Sequence, residues 1–160
     1  MAPRPGSRTA LLLQILDEAF DRKAWHGTTL RGAVRGVDAA DAIRRPGRER
    51  HNIAELVLHA AYWKYAVRRR MTGEKRGTFA RKGSNWFRVD ALAPDQWRDV
   101  VRVLEEEHAA LRDAVASIPD RRLDEKAPGS GTWTVRQLVS GAAAHDLYHT
   151  GQIQLVKRLL

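Results

Sequence analysis

The chain has 160 residues, enough for one domain with its own hydrophobic core, and its 43% hydrophobic and 29% charged content is that of a soluble globular protein. Cysteine is absent, which excludes disulfides, thiolate metal sites and a cysteine nucleophile and agrees with a cytoplasmic location. The formal net charge of +9 is scattered over loops and helix ends, so it reads as a solvated surface able to steer anionic ligands; no apolar run reaches membrane-span length, and no apolar signal segment follows the start.

Helical periodicity recurs four times along the chain. Leu12, Leu13, Leu16, Ala19 and Phe20 predict a first helix from Thr9 to about Lys23, capped by Ser7 or Thr9. The segment from Thr28 to Arg45 holds one or two short helical turns, Asp38 and Asp41 forming a cap, before Pro46-Gly47. Asn52 caps a second long helix through Met71, with Ile53, Leu56, Val57, Ala60, Trp63 and Val67 on its buried stripe and Gly73 just past its end. The stretch from Thr72 to Ala93 is a long basic connection whose Trp86 and Phe87 are expected to fold back over the bundle. A third helix runs from Pro94 or Asp95 to Ile118, where Pro119 stops it; Trp97, Val100, Val101, Leu104, Leu111, Val115 and Ile118 share a face. Thr134 caps the fourth, which continues to the chain end. Strand alternation is absent, so the fold class is all-α: a single domain over 1–160 built on a four-helix bundle with long connections.

The chemistry sits on the last helix. His145 and His149 are four residues apart and share one face with Leu138, Ala142, Ile153, Val156 and Leu160, so both imidazoles are expected to face the core. That spacing suits two imidazole nitrogens on one divalent metal ion, and inward-facing polar rings need a partner. His59, between Leu56 and Trp63 on the second long helix, offers a third ligand; His108, between Leu104 and Leu111, is its rival and is read as a hydrogen-bonded core histidine. His51 is read as a local structural group, Trp63 and Trp97 as core by periodicity and Trp133 as an anchor near the last cap, while Trp25 and Trp86 are read as packing residues with a pocket lining as the alternative.

Several of these segments, in this order, resemble the DinB/YfiT-like metal-dependent four-helix proteins over essentially the whole chain: Trp25-His26-Gly27, His51-Asn-Ile53, Leu58-His59-Ala-Ala-Tyr-Trp63, and Thr134 through His145-Asp-Leu-Tyr-His149-Thr-Gly-Gln-Ile153. The resemblance implies an up-up-down-down bundle, a triad of His59, His145 and His149, a metal that is nickel or zinc or else iron or manganese, and a homodimer. It also implies a thiol-dependent S-transferase or isomerase acting on a small molecule with a low-molecular-weight thiol.

The residues leave two other readings open. His145-Asp146-Leu-Tyr-His149 resembles the His-Glu-x-x-His helix of metallopeptidases, but Asp is one methylene shorter than Glu and no strand is predicted to hold a peptide. Hydrolysis of a small molecule is therefore the enzymatic alternative, with Asp146 expected beside the ligands or at the surface. The other is a non-catalytic, stress-associated binding protein. Specific nucleic-acid binding is not expected, since no reading helix or aromatic-basic strand motif is present.

Overall fold

In the computed structural model, which describes Arg4 and residues 6–160, six helices form the chain: α1 (Arg8–Phe20), the short α2 (Leu30–Val34) and α3 (Ala39–Ile43), α4 (Ile53–Thr72), α5 (Pro94–Ala116) and α6 (Val135–Leu159). Among the described residues no strand forms; a single bridge joins Lys126 to Thr134. Five of the six starts follow side-chain cap chemistry, while α5 begins at Pro94 with Gln96 Oε1 accepting from the Ala93 N–H. Ser7, Thr29, Asp38, Asn52 and Thr134 each accept a backbone N–H three residues on, and Gln137 returns the bond to Thr134. Gly73 ends α4 in the left-handed region, at φ 80°. Helix α1 stops at Phe20, three residues earlier than its periodicity suggests, because Asp21 leaves the helix and caps its last turn.

The four long helices pack in a ring in which α1 touches α5 and α6, and α4 touches α5 and α6. Contacts fix their directions. Thr9 bonds Ile118 and Asp120, Asp17 bonds Arg112, and Phe20 stacks on His108, so α1 and α5 are antiparallel. His59 meets His149, Lys64 meets Asp146, and Arg70 shares a cavity wall with Gln137, so α4 and α6 are antiparallel too. Helices α4 and α5 run the same way: Ile53 through Ala61 cluster with Trp97 through Leu104, and Val67 and Met71 with Leu111 and Val115.

The order is therefore up-down-down-up, and the up-up-down-down order implied by the resemblance is not observed. The reason lies in the first connection. An up-up start would require it to travel the length of the bundle, but Leu30, Ala33, Val34, Ala39 and Ala42 are buried and bind α2 and α3 across one end. Lys157 and Arg44 seal that end, Lys157 donating to the Ala33 and Arg35 carbonyls and Arg44 to that of Leu160. Only the connection over residues 73–93 makes a full-length return.

At the opposite end, the loop before α6 closes onto α4. The Gly129 N–H donates to the Arg70 carbonyl at 2.8 Å, and a Cβ on Gly129 would stand 2.9 Å from the Arg70 Cα. Backbone cannot move aside as a side-chain tip can. Gly129→Ala should therefore lower unfolding stability by about 1–3 kcal/mol, read from urea denaturation midpoints.

Candidate metal centre

Helix α4 carries His59, and α6 carries His145 and His149; their antiparallel packing brings the three rings to one point. His145 Nε2 lies 3.2 Å from His59 Nε2 and 3.0 Å from His149 Nε2, and the three donor nitrogens all fall within 4.8 Å of one another. His59 and His149 are buried, and His145 is half-buried at the edge of the core face. Of the two candidates for third position, the structure brings His59 to the pair. His108 instead stacks on Phe20 at 3.7 Å and lies 3.3 Å from the Lys64 ammonium.

The outer nitrogens explain the inner ones. His59 Nδ1 lies 2.8 Å from the Asn85 carbonyl and His149 Nδ1 lies 2.6 Å from Gln152 Oε1. A carbonyl can only accept, so each Nδ1 carries the proton and each Nε2 presents a lone pair. Gln152 is oriented by its own Nε2, 3.4 Å from the Tyr148 hydroxyl. Burial lowers all three pKa values, to about 4 at His59 and about 3 at His145, where the neighbouring histidines and Lys64 add to the effect. Converging lone pairs on neutral rings repel one another unless a cation or a proton lies between them. Metal–nitrogen bonds of about 2.0–2.1 Å at tetrahedral or octahedral angles place donor atoms about 2.9–3.4 Å apart, and the two spacings from His145, 3.2 Å and 3.0 Å, fall in that range.

The connection over residues 73–93 supports the triad through residues whose role the pattern did not reveal. Asn85, at φ 63°, accepts from His59 with its backbone and from the Trp63 indole N–H with its side chain, at 2.9 Å. Asn tolerates that left-handed backbone better than most residues, and the preceding Gly83 and Ser84 were the only sequence hint. Trp86 is stacked between His51, at 3.6 Å, and His59, at 3.7 Å. His51 in turn meets Glu55 at 2.8 Å. Burial would raise the Glu55 carboxyl, but Arg45, the Val89 N–H and His51 hold it at about 2, so it stays ionised and pins the loop to α4. Thus Trp86 folds back as expected and also covers a candidate ligand. Trp25, expected to pack, stands fully exposed, and Trp133 is about half exposed.

Asp146 does not stand at the surface. It is 1% exposed and pairs with Lys64, itself 1% exposed, in the bundle interior. Burial pushes its carboxyl up while Lys64 pulls the other way. Its commitment to Lys64 argues against Asp146 as the general base of the hydrolytic reading.

A family model of the DinB superfamily matches residues 22–153. The chain belongs to the DinB superfamily. No curated protein and no solved structure matches it. In this DinB-like chain the three-histidine group compatible with a metal ion therefore stands on the matched segment, and no helix of the described residues is long and apolar enough to cross a membrane.

Two outcomes follow. Gln152→Leu leaves the His149 ring without its acceptor and should weaken nickel or zinc binding by about 10-fold or more in competition with a chromophoric chelator. In the metal-free protein the depressed histidine pKa values mean that the unfolded chain, with histidines near 6.5, binds protons more readily. Their contribution is complete above about pH 6.5 and lost as pH falls towards 3–4, so urea midpoints should drop across that window. The drop should be smaller in His59→Phe.

Proposed function

We propose that this DinB superfamily protein is a divalent-metal-dependent enzyme, with His59, His145 and His149 as ligands, that transfers a low-molecular-weight thiol to a small electrophile or isomerises it through a thiol adduct. The observation that carries the reading is the convergence of three Nε2 atoms, two of them on rings that acceptors at Asn85 and Gln152 hold with the lone pair inward. Three neutral ligands leave a bound ion its full charge, and such an ion supplies Lewis acidity and stabilises a thiolate at neutral pH.

The chain's own residues do the rest. Asn85 and Gln152 hold two of the rings with their lone pairs inward, so no proton has to leave before an ion binds. Trp86 and Trp63 flank His59 and exclude water from one side. His145, half-buried, faces the open side where a substrate enters. The chain has no cysteine, so a sulfur nucleophile has to come from a cosubstrate. This arrangement favours thiol transfer over hydrolysis, because Asp146 is committed to Lys64.

Nickel, zinc, iron and manganese all suit imidazole to differing degrees, and supply decides among them. Protein purified without a polyhistidine tag should carry about one divalent ion per chain by mass spectrometry, and the His145→Ala/His149→Ala double variant should carry none. The loaded protein should then accelerate consumption of glutathione, bacillithiol or mycothiol by a panel of electrophiles, with the double variant at the uncatalysed rate. Metal without any thiol-dependent rate would overturn the transferase reading. No metal after reconstitution with nickel and zinc would overturn the centre itself.

A further inference from the structure

One wall of the candidate metal centre opens into a cavity of about 460 Å³, within the size range of small-ligand sites. Trp63, Val67, Leu138 and Ala142 give it an apolar lining, and His145 forms part of the same wall. Its far end is built by the loop before α6. There Trp133 stands with about half its surface exposed, and Gly129 docks on the Arg70 carbonyl.

Two cations reach this space, and they are not equivalent. Arg136 is committed to Asp124, at 3.1 Å. Arg70 has no carboxylate partner among the described residues; its guanidinium lies over the Trp63 ring, 5.3 Å from the centroid. A partnerless guanidinium held against an aromatic wall presents its donor edge to an incoming anion, and such charge-assisted bonds are stronger than neutral ones. Trp63 connects the two chemistries, since it supports Arg70 and also meets His145 edge-on, with ring centroids 6.1 Å apart.

The geometry points to this cavity as the binding site for an organic anion: an apolar or aromatic body against Trp63, Val67 and Leu138, one carboxylate-like group on Arg70, and its other end at His145. That this ligand is the substrate rests on the proposed metal-dependent function; that it binds does not. Gly141 allows a clean test. It lines the cavity one helical turn before His145, and a Cβ placed there meets nothing within 4 Å. A larger side chain at 141 would fill the space without displacing the backbone and would improve helix propensity.

The test uses 4-phenylbutyrate and its neutral amide, titrated against the whole protein with tryptophan fluorescence as the readout and metal content recorded in parallel. The acid should bind about 10-fold or more tightly than the amide. Arg70→Gln should bring that ratio to about one, a comparison insensitive to general damage because both probes share the apolar body. Gly141→Leu should abolish binding of both while metal content and thermal midpoint persist. Equal affinity for the two probes in the wild type, a ratio unchanged in Arg70→Gln, binding unchanged in Gly141→Leu, or no binding of either probe would each overturn the assignment. A protein that prefers the acid but holds no metal or performs no thiol transfer would overturn the proposed function and leave the anion site standing.

Discussion

The pair between Lys64 and Asp146 sets the register on which the three-histidine group depends. Both residues are almost wholly buried, and each lies within a turn or two of a candidate ligand on its own helix, Lys64 after His59 and Asp146 beside His145. A slide of α4 along α6 by one residue, about 1.5 Å, would part the pair and also separate nitrogens that now stand 3.0–3.2 Å apart. A buried pair of this kind is a poor source of net stability, because removing two polar groups from water offsets much of the attraction between them. Breaking it by removing one partner is costly for the same reason. Its effect is to make one packing arrangement of the bundle far better than its neighbours.

The pair does not end at two helices. The Lys64 ammonium also lies 3.3 Å from His108 on α5, whose other nitrogen stands 3.9 Å from Asp17 on α1, and Asp17 is gripped by Arg112. Each of the four long helices thus contributes to one polar layer through an otherwise apolar interior. Burial and the nearby cations Lys64 and Arg112 keep His108 neutral, at a pKa of about 3, so it can accept from Lys64 without adding a second positive charge. The hydrophobic clusters lie above and below this layer, divided at nearly the same level.

Much of this was legible because it rests on local chemistry. Cap residues at Ser7, Asn52 and Thr134 act within three positions of themselves, and apolar spacing locates the long helices without reference to the rest of the chain. The triad was legible for a similar reason: two of its members share a helical face, and the third lies on a buried stripe. Helix direction was not, because it is decided by whether a connection spans the bundle or folds over its end, and the buried faces of α2 and α3 are too short to carry a periodic signal. Asn85 and Gln152 were also hidden, since a backbone carbonyl or an amide turned towards a ring depends on loop geometry that composition does not encode.

Asp146 shows where periodicity misleads. Reading apolar residues alone places the core face of α6 around His145, but the buried set includes Val139, Ala143, Asp146 and Thr150, which centres that face on Asp146. A charged residue ordinarily marks the outside of a helix, yet here it marks the middle of the buried face, because α4 supplies Lys64 as its partner. The shift in phase moves His145 to the border of the core, the displacement that the proposed function requires. Were His145 as buried as His149, the three nitrogens would still converge, but no face of the group would meet the cavity beside Trp63. The same interior pair that fixes the register therefore leaves one edge of the histidine group facing the cavity, and three imidazoles with one open side are the arrangement that the proposed metal-dependent function requires.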